Sequence, residues 1–240
     1  IILGIDNIVF ISITAGKLPK NQIRKATNIG LVLAMVFRIL LLMGVSYLIA
    51  MKDPLVNIHW GWFEASVSGQ SLILLGGGIF LLYKSTHEIH QKVEGSDSQG
   101  ISNSPVKSSM AAVILQIVVV DMVFSFDSVL TAVGMTNGLE GALTIMIIAV
   151  IVSILIMMIF AVPVGKFVNK HPTVQMLALS FLILIGFMLV TESAHLSNAV
   201  IFNQHVGAIP NGYLYFAIAF SLGVEALTLK IRYRRKKSPA

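Results

Sequence analysis

Six long apolar runs dominate this chain of 240 residues. A helix needs about 20 mainly apolar residues to cross the hydrocarbon core of a bilayer. The runs of about that length cover residues 27–51, 70–88, 110–136, 139–165, 173–192 and 212–230. A seventh, shorter run covers residues 1–16 and begins without Met and without a polar flank. We therefore predict seven transmembrane helices and interpret the first as truncated at its N-terminus.

The composition also favours an all-α membrane protein. Hydrophobic residues make up 56% of the chain and charged residues only 12%, about half the charged share of a typical soluble domain. We predict a single transmembrane domain over residues 1–230. Within it, residues 91–109 are rich in Ser and Gly, a composition typical of a flexible linker, here cytoplasmic. Residues 231–240 are predicted to form a basic cytoplasmic tail.

The distribution of basic residues predicts the orientation in the membrane, because Lys and Arg accumulate in cytoplasmic loops. One side receives the basic residues of Lys17–Lys25, Lys92–Lys107, Lys166–Lys170 and Lys230–Lys237, whereas the loops of the other side contain only Lys52. We expect the N-terminus outside and the C-terminus in the cytoplasm, in a bacterial plasma membrane. The formal net charge of +6 then reflects contact with anionic lipid head groups and not with nucleic acid.

Two internal matches indicate a repeat. Gly4–Val9 resembles Ser125–Leu130, since each has an Asp, a small polar residue and then an apolar run. Residues 78–87 match residues 186–195 in the spacing of a Gly, a charged residue, a Ser and a His. Each half contains three predicted helices, an odd number, so the second half must be inverted. We predict an inverted repeat of helices 1–3 and 4–6, with an extra helix 7.

Three aspartates lie inside apolar runs, where a charged side chain is costly and usually meets a cation, a proton or a partner. Asn and Ser residues beside them add neutral oxygen ligands. Such a hard oxygen set favours Mn²⁺, Mg²⁺ or Ca²⁺ over Cu⁺ or Zn²⁺, and the absence of Cys excludes thiolate ligands. The candidate metal ligands are Asp6, Asn7, Asp121, Ser125, Asp127 and Ser128.

Helical geometry divides these ligands. At about 100° per residue, Asp121, Ser125 and Ser128 share one stripe of a helix, whereas Asp127 points about 120° away from Asp121. One possibility is that the helix unwinds near Phe124–Phe126, so that both carboxylates converge on one ion. The other is that the two acids serve different steps. We favour convergence, because transporters often bind ions at broken helices.

Four other charged residues in the apolar runs are candidates for gating or coupling: Arg38, Lys84, Glu192 and Glu225. Arg38 either neutralises a carboxylate when no metal is bound, or snorkels or closes a helix contact. Lys84 and Glu192 occupy equivalent repeat positions and either form a gate-like ion pair or lie solvated near helix ends. Glu225 is either a proton acceptor or an acid paired with a basic neighbour. The aspartates also have an alternative to metal binding, a purely structural role in which they form ion pairs with Arg38 or Lys84.

The chain resembles the TerC family of integral membrane proteins, which includes the Alx-type proteins. The resemblance rests on Leu3–Ser12, Ala15–Pro19, Lys84–His90, Asp121–Val129 and Tyr213–Glu225. It implies a seven-helix transporter-like fold linked to export of divalent metal, chiefly Mn²⁺, and to metal resistance. Members of the family usually carry a Glu six residues before the Asp of the first motif, a position that would precede Ile1. The second motif has Asp121 at that spacing.

Three function classes follow from these observations. The first is an exporter of divalent metal ions, with Mn²⁺ supplied by the resemblance. The second is a membrane metal-delivery or assembly factor for exported proteins that has no transport activity of its own. The third, an intramembrane aspartyl protease, would need Gly-x-Gly-Asp and Pro-Ala-Leu elements that the sequence lacks. We expect no enzymatic activity and no prosthetic group, and the pattern leaves an oligomer or a protein partner open.

Overall fold

A computed structural model describes residues 2–94, 109–136 and 140–237. Most of the predicted linker therefore lies outside the described residues. The helices are α1 Ile2–Ala15, α2 Lys20–Met43, α3 Val45–Ala50, α4 Gly69–Glu94, α5 Met110–Thr136, α6 Ala142–Lys170, α7 Pro172–Leu196 and α8 Asn211–Lys237. Every predicted apolar run overlaps at least one of these helices over most of its length.

Several helix boundaries differ from the sequence pattern. The run predicted to begin at residue 27 starts as a helix at Lys20 and is interrupted at Gly44, where α2 ends and the short α3 follows. Helix α4 continues to Glu94, into the predicted linker. Helix α8 continues to Lys237, so most of the predicted basic tail is helical. At Lys20, Glu94 and Lys237 the helix thus extends beyond the apolar stretch, whereas at Gly44 it ends within one.

Within the described ranges, four helices are long and apolar enough to cross a bilayer, namely α2, α5, α6 and α7, and α8 contains a shorter apolar segment, Gly212–Thr228. Helix α1 spans only 14 residues, and α4 carries Gln70, Lys84 and Glu88 among its apolar residues. A mostly helical multi-pass membrane protein is thus supported. The prediction of seven spans is not confirmed.

The prediction of a purely helical fold missed a small antiparallel sheet. Its strands, in the order β1-β2-β3-β4, are β1 Pro54–Trp60, β2 Phe63–Ser68, β3 Val200–Ile201 and β4 Gln204–His205. The first two strands connect α3 to α4, and the last two connect α7 to α8. Because β2 pairs with β3, both connections lie at one end of the bundle, which we call the sheet end.

The opposite end, which we call the basic end, gathers the α1–α2 turn, the end of α4 and the α6–α7 turn. Lys17 Nζ lies 2.5 Å from Glu88 Oε1, and Gln175 Nε2 donates to Asn169 Oδ1 over 2.9 Å. Lys92 Nζ donates to Gln175 Oε1 over 2.5 Å and so connects the two contacts. The sequence assigned the basic loops to one side of the membrane, and these three contacts place three of those segments together.

Helices α1 and α6 run side by side in the same direction. Ser12 Oγ donates to the backbone oxygen of Ala161 over 3.2 Å. Gly16, one turn beyond Ser12, lies against the side chain of Asn169, two turns beyond Ala161, where an added Cβ would approach Nδ2 to 2.9 Å. Two contacts that advance together along both chains define a parallel pair. Helix α1 of the first half therefore packs along the second helix of the other half.

Helices α2 and α5 repeat this arrangement with the halves exchanged. Gly30 lies against Ile117, where an added Cβ would come within 2.9 Å of the Ile side chain. Two turns along both helices, Arg38 Nε donates to Ser125 Oγ over 2.7 Å. This pair is also parallel. Each half thus lays its first helix along the second helix of the other half, as expected for an inverted repeat.

Helices α4 and α7 cross in opposite directions. Ser193 Oγ donates to the backbone oxygen of Ser71 near the sheet end over 2.6 Å. Between the ends, an added Cβ at Gly78 would lie 2.8 Å from the backbone oxygen of Gly186, and one at Gly186 would lie 3.0 Å from that of Gly78. These two glycines are equivalent in the predicted repeat. Their mutual contact is expected of equivalent residues beside a pseudo-twofold axis and supports the inverted repeat.

This crossing predicts that Gly78→Val destabilises the bundle while Gly76→Val does not. Val at position 78 forces the α4 and α7 backbones apart, and overpacking of this kind costs about 1–3 kcal/mol. Gly76 faces open space, with nothing within 4 Å of an added Cβ. Thermal unfolding in detergent should show a lower midpoint for the first variant alone. Equal midpoints for the two variants would contradict the assigned crossing.

Candidate functional site

Asp121 is the centre of a buried polar cluster. Its side chain is only 1% exposed, and Arg38 Nη2 lies 2.7 Å from Oδ1. Asn7 Nδ2 donates to the same carboxylate oxygen. Ser125 Oγ accepts from Arg38 Nε over 2.7 Å and donates to the backbone oxygen of Asp121 over 2.5 Å. The cluster therefore joins α1, α2 and α5 at one point.

The cluster balances one negative charge with one positive charge inside apolar packing. Asp121 lies 11 residues from the start of α5, near the middle of the helix. A lone charge at that depth would be costly, and a partner with further hydrogen bonds offsets much of the cost. The structure thus brings Arg38 to a predicted ligand, a contact that fits both neutralisation of a carboxylate and closure of a helix contact.

One oxygen of this cluster has no partner. Asn7 is only 2% exposed, and within the described residues its Oδ1 accepts no hydrogen bond. A buried acceptor without a donor costs about 1–3 kcal/mol and marks a place where a ligand or water belongs. The neighbouring Asp6 lies in α1, but its side chain is outside the described part of the structure.

Asp127 does not converge with Asp121. Helix α5 is unbroken over Met110–Thr136, so the unwinding predicted near Phe124–Phe126 is wrong. Six helical residues separate the two acids by about 9 Å along the axis and turn them to different faces. The two predicted ligands therefore belong to different surroundings, which is the second of the two arrangements considered from the sequence.

Asp127 instead shares a small cavity with Glu192. The cavity has a volume of about 40 Å³ and is lined by Phe124, Asp127, Ile185, Met188, Leu189, Glu192, Ile209, Leu214 and Tyr215. It lies between α5, α7 and the start of α8, towards the sheet end. Its volume suffices for a few water molecules or a partly hydrated ion, since one water needs about 10–15 Å³ by this measure.

The cavity contains two carboxylates, those of Asp127 and Glu192. Among the lining residues that the structure describes, none is Lys, Arg or His. Two negative charges in a small, mostly apolar site are costly, and a nearby positive charge offsets that cost. A cation or a proton would supply that charge.

The structure does not bring Lys84 and Glu192 together. Lys84 Nζ lies 3.0 Å from Glu88 Oε1, one turn along α4. Because α4 and α7 are antiparallel, equivalent repeat positions away from the crossing lie towards opposite ends of the bundle. The gate-like pair considered from the sequence is therefore absent between these two described residues.

Glu88 is a charged residue that the sequence analysis overlooked. It is 3% exposed and accepts from both Lys17, at 2.5 Å, and Lys84, at 3.0 Å. Nearby, Lys92 Nζ donates to Gln175 Oε1 over 2.5 Å, which ties α4 to α7. The spacing of four between Lys84 and Glu88 was the available signal, whereas the contact with Lys17 arises only in the fold.

The remaining candidate residues are satisfied locally. Ser128 Oγ donates to the backbone oxygen of Ser125 over 3.1 Å, within its own helix. Glu225 Oε1 accepts from Thr173 Oγ1 over 2.6 Å, which fixes α8 against the start of α7. Its partner in this contact is a neutral hydroxyl and not a basic neighbour. In the part of the chain that the structure describes, no group of three or more His, Asp or Glu side chains is assembled for a metal.

The cluster predicts that Arg38→Gln strongly destabilises the protein, because it leaves Asp121 buried without its counter-charge. Loss of one partner of a buried pair costs roughly 3–5 kcal/mol. Arg38→Gln combined with Asp121→Asn should recover much of that stability, since no charge then remains unpaired. A double-mutant cycle on thermal stability in detergent measures this coupling. Additive effects of the two changes would contradict the assigned pair.

Comparison with known proteins gives consistent matches over the whole chain. The model of the integral membrane protein TerC family matches residues 1–239. The UPF0053 inner membrane protein YgdQ of Escherichia coli (strain K12) is 44% identical over 239 residues, covering 100% of this chain and 90% of that protein. A UPF0053 protein of Haemophilus influenzae is 42% identical over 232 residues, covering 97% of this chain and 90% of that protein.

The longer UPF0053 protein YegH of Escherichia coli (strain K12) is 42% identical over 240 residues, but this match covers only 41% of its length. No solved structure matches. The apolar helices and the inner-membrane relatives support a multi-pass bacterial membrane protein. The resemblance seen in the sequence is thereby confirmed: the chain belongs to the TerC family of integral membrane proteins.

Proposed function

We propose that this protein moves a divalent cation across the inner membrane, and that the ion is Mn²⁺ and the direction export, as the resemblance to the TerC family implies. The observation that carries the proposal is the cavity shared by Asp127 and Glu192. Two carboxylates face one small space within the bundle, and none of its described lining residues is basic. A divalent cation would neutralise both acids at once.

The chemistry of the available ligands supports a hard cation. The cavity offers carboxylate oxygens from Asp127 and Glu192 and the side chain of Tyr215. The central cluster adds the carboxylate of Asp121 and the unpartnered amide oxygen of Asn7. Oxygen ligands of this kind, completed by water, suit Mn²⁺, Mg²⁺ or Ca²⁺. The family resemblance, and not the ligand set, selects Mn²⁺ among them.

Helix α5 carries two candidate ion sites, the cavity at Asp127 and the cluster at Asp121, and together they suggest a path for the ion. The cavity lies towards the sheet end, and Asp121 lies about 9 Å deeper along α5. A cation that reaches Asp121 competes with Arg38 for the same carboxylate oxygen. Between transport events, Arg38 then acts as an internal counter-ion whose positive charge compensates the negative charge of Asp121. This role deepens the sequence-based interpretation of Arg38 as a substitute cation.

The two ends of the bundle differ in a way that fits alternating access. At the basic end, Glu88 binds Lys17 and Lys84, and Lys92 binds Gln175 of the other half. The cavity lies at the other end. In this proposal the basic end is closed by the Glu88 contacts, and passage of the ion requires them to break.

Transport predicts that Asp127→Asn and Glu192→Gln each reduce Mn²⁺ flux into proteoliposomes at least about tenfold, the effect of roughly 1.4 kcal/mol in ion binding. Each variant removes one negative charge from the cavity. Glu64→Gln is the matched control, because Glu64 is exposed on β2 at the same end of the molecule. Mg²⁺, Ca²⁺ and Zn²⁺ as competitors test selectivity.

Wild-type protein that binds Mn²⁺ without any flux would overturn transport and favour the metal-delivery alternative. Flux that persists in both cavity variants would overturn the assigned site while leaving transport in place.

Closure of the basic end predicts that a cross-link between Lys17→Cys and Glu88→Cys abolishes flux. The chain contains no native Cys, so a bifunctional thiol reagent joins only these two positions, whose charged atoms lie 2.5 Å apart. Cleavage of the cross-link by a reductant should restore the flux of the untreated double variant. The two single Cys variants, treated alike, control for simple modification. Undiminished flux in the cross-linked protein would contradict a gate at this end.

A further inference from the structure

A second, larger cavity lies between α2 and α6, away from the carboxylates. Its volume is about 700 Å³, within the range of sites that hold a sizeable ligand. Two polar residues of α2 and a row of apolar residues of α6 form its walls. The lining residues are Arg24, Asn28, Leu155, Met158, Ile159, Val162 and Pro163.

The cavity is polar at one level, where Arg24 and Asn28 lie, and apolar along the rest of its length. Helix α2 begins at Lys20 and α6 ends at Lys170, so Arg24 and Pro163 lie towards the basic end. From Pro163 to Leu155 the wall extends about 12 Å along the α6 axis towards the middle of the bundle. A ligand that fits this shape has a charged or polar head at the membrane surface and an apolar tail.

The charge of the polar level indicates an anionic head. Arg24 is exposed, and no carboxylate of the described residues pairs with it. Asn28, one turn deeper, adds an amide that can donate a hydrogen bond. Guanidinium groups bind phosphate oxygens through two parallel donors. A phosphate diester placed beside Arg24 would therefore be held by charge and by hydrogen bonds.

We propose that this cavity binds an anionic phospholipid of the phosphatidylglycerol type. Its phosphate lies against Arg24 and Asn28, and one acyl chain follows Ile159 and Leu155. Free phosphate would use only the polar level, and a zwitterionic lipid would bring a positive head-group charge next to Arg24. Because α2 and α6 belong to different halves of the repeat, the bound lipid joins the two halves at the basic end. The assignment is independent of the transported ion.

The test is lipid binding to the purified protein, followed by native mass spectrometry and by the thermal midpoint in detergent. Dioleoyl phosphatidylglycerol, dioleoyl phosphatidylcholine and inorganic phosphate are the probes. Arg24→Gln should weaken binding of the anionic lipid about tenfold, or roughly 1.4 kcal/mol. Lys25→Gln removes the same charge from the adjacent residue, which does not line the cavity, and should change binding by less than about twofold.

Val162→Trp provides a second variant, because its large side chain occupies the cavity beside the apolar wall and leaves every charge in place. It should weaken binding of the anionic lipid as well. Equal losses for Arg24→Gln and Lys25→Gln would overturn the site in favour of general surface attraction. Equal binding of the two lipids, or displacement of the lipid by inorganic phosphate, would also overturn it. None of these outcomes depends on metal flux.

Discussion

The cost of an uncompensated charge inside apolar packing is the constraint on which this structure depends. A carboxylate at mid-membrane is expensive unless a counter-charge or a cavity receives it. Asp121 has Arg38 at 2.7 Å, and Glu88 has Lys17 and Lys84. The Arg38–Asp121 pair joins α2 to α5, and the Lys17–Glu88 pair joins the α1–α2 turn to α4, so in these two contacts charge compensation also contributes to tertiary packing. The Asp127 cavity differs, because no described basic residue lines it.

The second constraint is the exchange of helices between halves. Each half places its first helix along the second helix of the other half, and α4 and α7 cross at Gly78 and Gly186. Neither half on its own would cover these faces, so the halves stabilise each other. The central cluster lies where α1 meets α5, which are the first helices of the two halves. It therefore lies beside the pseudo-twofold axis of the predicted inverted repeat. A site in that position can respond to a movement of either half.

The sequence predicts local features well and distant contacts poorly. Hydropathy located the helices, and the spacing around Gly78 and Gly186 indicated the repeat. The sheet was missed because residues 52–69 look like a polar loop, although Val56, Ile58 and Trp60 alternate with polar residues at the period of a β-strand. The contact of Glu88 with Lys17, which lies in the α1–α2 turn, had no local signal in the sequence. For the candidate site, the residue types were informative, whereas the grouping of Glu192 with Asp127 required the fold.

The unbroken course of α5 constrains the ion passage that we propose. A rigid helix holds Asp121 and Asp127 about 9 Å apart on different faces, so one ion cannot bind both acids without a break in the helix. A broken helix would supply backbone oxygens, but here the hydrogen bonds of the helix are kept. In the transport that we propose, the ion would have to pass from one acid to the other, with Arg38 leaving Asp121 as the ion arrives. Since Arg38 also binds Ser125 on α5, its departure loosens the α2–α5 contact. Arrival of the ion and movement of one half against the other would therefore be a single event.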